Sequence, residues 1–175
     1  MTMKAVVYKK FGPDVLQLVE HPLPKRSAGE VLVKIKCTSV NPVDYKIRNG
    51  IFPYMAKKEM VPMRYGSVWL AVVVRVMWPT PCSHTQILGG DLAGVAESAD
   101  ADSKFTYGDR VFALSPDWIF TSKWGCYAEY ATIKSSLLAS IPDTMSFEQA
   151  AALPLVSVTA MQVAHPRPAT TVRRL

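Results

Sequence analysis

Cysteine and histidine are scarce in this chain, with three of each among 175 residues. Cys37, Cys82 and Cys126 are widely spaced and odd in number. That argues against a disulfide framework and points to a reduced, cytoplasmic setting. No four closely spaced cysteines are present for a structural zinc. Cys82 and His84 offer only a two-ligand Cys-x-His pair, so no metal is expected. Long apolar runs are also missing. The most apolar stretch, Val68–Trp78, is broken by Arg75 and falls far short of the ~20 residues that cross a bilayer; it reads as a buried strand. Met1–Lys10 shows neither an apolar signal region nor an Arg/Ser-rich amphipathic stretch, so no targeting peptide is expected.

Acidic residues are absent from two segments. Met63–Gln86 and Val163–Leu175 contain Arg64, Arg75, Arg167, Arg173 and Arg174 but no Lys, Asp or Glu. Without those arginines the formal charge of +6 falls to +1. The basic balance therefore belongs to two unusual segments and not to a binding face, and neither nucleic acid nor a membrane surface is expected as a partner. With 49% hydrophobic and 19% charged residues, the chain is globular and long enough for one domain with a proper core.

Periodicity predicts many short strands and few helices. Lys4–Tyr8 reads as a strand, Leu16–Glu20 as a second, and the Pro- and Gly-rich His21–Glu30 as a loop. Glu30–Cys37 alternates, with Val31, Val33 and Ile35 on one face and Lys34 and Lys36 on the other, as in a half-buried antiparallel strand. Asn41-Pro42-Val43-Asp44 opens a helix: Asn caps, Pro takes the first helical position, and Asp returns a hydrogen bond. That helix runs to about Asn49 and stops at Gly50. Ile87–Ala96 reads as a loop entering a strand, Tyr107–Leu114 as a turn and strand, and Gly125–Thr132 as a further strand with Tyr127 and Tyr130 on opposite faces. Ser146–Gln149 is a capping box for a helix through Ala152. The pattern is mainly β with some helix, a partly open β-barrel followed by the first helix of another domain.

Five motifs stand in the order of one family: SVNPVDYKIRNG at Ser39–Gly50, GGDLAGVA at Gly89–Ala96, GDRVF at Gly108–Phe112, YAEY at Tyr127–Tyr130 and AALPLVSVTA at Ala151–Ala160. Together they resemble the zeta-crystallin-like NADPH:quinone oxidoreductases of the medium-chain dehydrogenase/reductase superfamily, and most of all the plant quinone/enone reductases of the 2-methylene-furan-3-one type. The resemblance implies a GroES-like partly open β-barrel over residues 1–62 and 87–145. It implies the start of a Rossmann domain over 146–162. It fails over 63–86, which reads as an atypical insertion, and again over the divergent tail 163–175.

The family's chemistry is hydride transfer from NADPH to a quinone or an α,β-unsaturated carbonyl. Such a reaction needs the nicotinamide near the acceptor, a polar group for the carbonyl oxygen, and a proton. The resemblance closes the zinc route, since Gly90 and Asn41 stand where zinc-dependent relatives carry ligands. It places Asn41 at the acceptor carbonyl or the nicotinamide ribose; a cap-only role reads equally well. Tyr45 and Lys46 are the candidates for the remaining catalytic polar groups, against a reading of Lys46 as merely solvated. Asp44 reads as structural, and Tyr54 as a residue of the cleft mouth. Thr159 is carried over to the nicotinamide end of NADPH, against a threonine satisfied by its own helix. Gly89, Gly90 and Gly94 read as sites of tight turns and close packing.

A glycine-rich pyrophosphate fingerprint is expected roughly twenty residues or more beyond Thr159. The 175 residues contain none. The expectation is therefore an oxidoreductase lobe, inactive by itself, with a small-molecule quinone or enone as substrate and a homodimer as the full-length assembly. A non-catalytic GroES-like binding fragment and an aberrant splice product are the alternatives.

Overall fold

In the computed structural model, residues 1–50, 86–115 and 125–164 are described. The readings for Val68–Trp78, Tyr54, Cys82 and His84 lie outside these residues, as do those for most of Met63–Gln86 and Val163–Leu175. Two antiparallel sheets make up the β part. Strand β1 (Thr2–Tyr8) lies between β2 (Gln17–Pro22) and the short β4 (Gln86–Ile87). The second sheet runs in the order β7 (Tyr130–Lys134), β3 (Glu30–Cys37), β5 (Asp91–Ser98), β6 (Arg110–Leu114), β8 (Ala139–Ser140). The sheets do not close on each other, which gives a partly open barrel.

The alternation in β3 does what its pattern demands. Val31 and Val33 are fully buried and join Leu92, Ala96, Phe105, Val111, Ala131 and Ile133 in the main core. Lys34 on the opposite face pairs with Glu97 at 3.9 Å. Strand β5 packs close against β3: a Cβ on Gly94 would lie 2.2 Å from the Lys34 carbonyl oxygen. Only glycine permits that approach.

One segment departs from expectation. The strand predicted from Gly125 begins at Tyr130. Residues before it form the seam between the sheets. The Val6 N–H donates to the Tyr127 carbonyl at 2.8 Å, Ala5 bridges Ala128, and the Ile35 N–H donates to the Glu129 carbonyl at 2.8 Å. A segment bonded alternately to two sheets does not keep the parity of one strand. Tyr127 and Tyr130 therefore do not take opposite faces, and both pack against the cluster of Met3, Ala5, Val7 and Ile87.

Helix α1 (Pro42–Arg48) starts and stops where the sequence indicates. The Asn41 N–H donates to the Asp44 carboxylate at 2.7 Å, and Gly50 takes φ +78°. Near the end of the described chain, Ser146 and Gln149 cap α2 (Phe147–Ala151) reciprocally at 3.2 and 3.0 Å. Ala150 and Ala151 seat that helix on Ala93 of β5. The helix ends at Ala151, one residue short of expectation, and α3 (Pro154–Ala164) follows with proline in its first position. Among the described residues no helix is long and apolar enough to cross a membrane.

Candidate active site

Asp91, the first residue of β5, is 1% exposed and ties three parts of the fold together. Its carboxylate accepts from the Asn41 side-chain amide at 2.8 Å, from the Ser39 hydroxyl, and from the Leu155 N–H at 2.9 Å. The Thr38 hydroxyl donates to its backbone carbonyl at 2.7 Å. A carboxylate ringed by donors in this way is fully satisfied despite its burial. Its charge also faces the first turn of α3, where free N–H groups and the helix dipole favour an anion. Asp91 thereby locks the entry to α1 against the entry to α3.

Between those two entries lies an open groove of about 560 Å³. Asn41 and Pro42 form one side. Leu155, Val156, Thr159 and Ala160 of α3 form the other, with Val163 and Ala164 at its end. Asn41 and Thr159, the sequence candidates for cofactor contact, thus share one groove. Thr159 is also bonded to its own helix, its hydroxyl donating to the Leu155 carbonyl at 2.8 Å. Tyr45 is 48% exposed and Lys46 half-buried one turn into α1, and neither lines the groove.

A second layer lies beneath Asn41. Asp44 is 2% exposed and accepts from the Asn41 N–H and, at 2.8 Å, from the Tyr127 hydroxyl. Its Oδ1 is buried without a hydrogen-bond partner among the described residues. Burial pushes the Asp44 carboxyl above its ordinary range, with the charge of Asp91 adding to it, against the pull of the Asn41 N–H and the Tyr127 hydroxyl. Burial, then the bond to Asp44, drives the Tyr127 phenol well above its usual value, so it stays a donor at any physiological pH. Burial likewise raises the Cys126 thiol, which donates to the Gly90 carbonyl. Local sequence carries no signal for this role of Tyr127, since its partner stands 83 positions away.

The glycines of GGDLAG do not cradle a ligand. Gly89 has φ +93°, and a Cβ there would lie 2.3 Å from the Tyr127 ring. The space at Gly94 is filled by the β3 backbone, and the motif leads into a strand and not a helix. A pyrophosphate therefore does not fit these glycines. Among the described residues no three His, Cys, Asp or Glu side chains converge as a metal site.

Residues 27–143 match the family model of the alcohol dehydrogenase GroES-like domain. The chain belongs to that family. The GroES-like domain places it in the medium-chain dehydrogenase/reductase superfamily, and its relatives are quinone oxidoreductases. It is 31% identical over 163 residues to a chloroplastic quinone-oxidoreductase homolog of Spinacia oleracea, covering 91% of this chain and 41% of that protein. The quinone oxidoreductase of Coxiella burnetii superposes with a TM-score of 0.68 at 30% identity, over 93% of this chain and 44% of that one. A mycobacterial protein complexed with NADPH superposes with a TM-score of 0.65 at 25% identity, over 99% of this chain and 41% of that one. The chain thus spans about two fifths of the length of the relatives it matches.

Proposed function

We propose that this chain is the acceptor-side lobe of a zinc-independent NADPH:quinone or enone oxidoreductase, with Asn41 at the floor of its ligand groove. The observation that carries this reading is the position of Asn41. A polar side chain 8% exposed, pinned by a buried carboxylate, lines a groove whose other wall is largely aliphatic. Flat, weakly polar ligands such as quinones and enones suit such a groove.

NADPH, when bound, supplies the hydride for a quinone or for the β-carbon of an enone. The residues of this chain do the rest of the local work. The aliphatic wall of α3 excludes water from one side of the ligand, and Asn41 and Thr159 orient it. Tyr45 or Lys46, one turn into α1 and outside the groove lining, passes the proton that completes reduction through water. The pyrophosphate of NADPH finds no glycine cradle among the described residues, and we propose that this lobe turns over only together with a nucleotide-binding domain. The full-length assembly is proposed to be a homodimer, and the compartment the cytoplasm. The names of the quinone-oxidoreductase relatives and the NADPH bound to the mycobacterial neighbour support the activity; the aliphatic groove supports the substrate class.

The test uses the 175-residue chain itself. Duroquinone, whose ring has no free position for thiol attack, is titrated into ¹⁵N-labelled protein, and NADPH oxidation is followed at the same time. Shifts centred on Asn41, Leu155 and Thr159, without turnover, are expected. Shifts confined to another face would remove the groove reading. Micromolar NADPH binding with turnover by these residues would overturn the proposal that the nucleotide is held outside this lobe.

A further inference from the structure

We propose that Asp44 is a proton-operated latch that sets the entry of α1, and with it Asn41 on the floor of the groove, so that the hold on a groove ligand weakens when Asp44 ionises. The effect on ligand affinity rests on the groove reading above; the latch itself does not.

Both hydrogen bonds to Asp44 end on one oxygen. Oδ2 accepts from the Asn41 N–H at 2.7 Å and from the Tyr127 hydroxyl at 2.8 Å. Oδ1 is buried and has no partner among the described residues. An ionised carboxyl spreads its charge over both oxygens, so part of it would sit on Oδ1, out of water and facing no donor. That is costly at a residue 2% exposed. A proton on Oδ1 removes the charge and leaves both bonds to Oδ2 in place, since a carbonyl oxygen keeps two lone pairs. Asp44 is thus complete as an acid and incomplete as an anion.

The surroundings act on the same proton. Burial raises the Asp44 carboxyl, and the Asp91 carboxylate of β5 adds to it. The Asn41 N–H, the Tyr127 hydroxyl and the Gly89 N–H pull the other way, although the Gly89 N–H makes no hydrogen bond to Oδ1. The other titratable groups packed here are Cys126 and Tyr127 from the seam, both driven up by burial, and Tyr8 of β1, whose hydroxyl donates to Gln86. Tyr45, Lys46 and Arg48 follow on α1 itself, and no ion pair among the described residues involves Asp44. Ionisation must therefore bring water to Oδ1 or carry the side chain out to it. The space at Gly89 is closed by the Tyr127 ring, 2.3 Å from where a Cβ would stand. Either response works against the two bonds at Oδ2 that tie the first turn of α1 to the seam. The Asn41 backbone is one end of those bonds, and Asn41 lines the groove. With the latch open, Asn41 is held only by its side chain, through Asp91 and Ser39.

The test is a pH series on the whole chain. The side-chain carboxyl ¹³C shift of Asp44 reads its ionisation, and the Asn41 backbone ¹⁵N shift reads the latch. In wild type both are expected to move together, with one midpoint above 3.8. Tyr127→Phe removes a donor that favours the anion and is expected to raise that midpoint further. Affinity for duroquinone, which carries no titrating group, is expected to fall roughly fivefold or more as pH rises through the wild-type midpoint, the lower end of ordinary coupling between sites. Asp44→Asn reproduces the neutral acid, so its affinity is expected to stay flat with pH. Wild type and Tyr127→Phe carry the test if that variant does not fold. An Asp44 midpoint at or below 3.8 would overturn the latch, as would an Asn41 signal that does not follow it or a midpoint that Tyr127→Phe leaves unchanged or lowers. Duroquinone affinity that stays level through the wild-type midpoint would overturn the coupling to the groove. A latch that titrates as expected, with no duroquinone shift at the groove at any pH, would instead remove the groove reading and leave the latch standing.

Discussion

The Tyr127 hydroxyl donates to the Asp44 carboxylate at 2.8 Å across 83 positions of sequence, joining the seam between the two sheets to the first turn of α1. Both groups are shielded, and their protonation follows from that shielding. Tyr127 remains a phenol, and the Asp44 carboxyl titrates above its ordinary value near 3.8. Replacing Tyr127 with Phe leaves Asp44 short of a donor at a buried site. A loss of about 1–3 kcal/mol in denaturant unfolding is expected.

The raised Asp44 value has a definite sign in the dependence of stability on pH. The folded state binds this proton more tightly than the unfolded chain. Its contribution is complete below about pH 3.8 and is lost as pH rises through the higher folded value. The stability of wild type relative to Asp44→Asn should therefore decline as pH rises above about 4, measured by urea unfolding at a series of pH values. A flat difference would show that burial does not govern this carboxyl.

Glycines at different places should respond differently to alanine. At Gly108 φ is +94°, but a Cβ there would meet no atom within 4 Å, so Gly108→Ala bears only the conformational cost, about 1–2 kcal/mol. Gly94 has no such φ, yet its Cβ would meet the Lys34 carbonyl at 2.2 Å. Gly94→Ala must push β5 from β3 and should cost at least about 3 kcal/mol. Thermal unfolding of the pair distinguishes the two causes.

Ser146→Ala removes one arm of the α2 capping box, the acceptor for the Gln149 N–H. About 1 kcal/mol of destabilisation is expected by denaturant titration. Because α2 buries Ala150 and Ala151 against β5, this loss should appear in the global transition and not as local fraying.

Thr159→Val keeps shape while deleting the oxygen. The hydroxyl bonds only within α3 in the free protein, so unfolding should shift by less than about 1 kcal/mol. Affinity for duroquinone should fall roughly three- to tenfold, the worth of one neutral hydrogen bond from the Thr159 hydroxyl to a quinone oxygen. Equal affinity would place Thr159 outside the ligand contact.

Much of the frame was legible from local pattern. Period-two alternation located β3, and helix-capping chemistry located α1 and α2, because each depends on residues no more than about four apart. The glycines of GGDLAG were legible as positions of close approach, though not what approaches them: the Tyr127 ring at Gly89 and the β3 backbone at Gly94. The strand expected from Gly125 started late because that segment divides its hydrogen bonds between two sheets, which no alternation reveals.

Sequence alone determined the element types, the family and the presence of Asn41 at a helix start, since these follow from short-range chemistry and motif order. Tertiary structure decided which way the Asn41 amide faces. That orientation comes from Asp91, 50 positions later, whose carboxylate can only accept and whose burial forbids any other arrangement. The same contact brings Leu155 of α3 to the entry of α1 and so creates the groove that neither segment contains by itself.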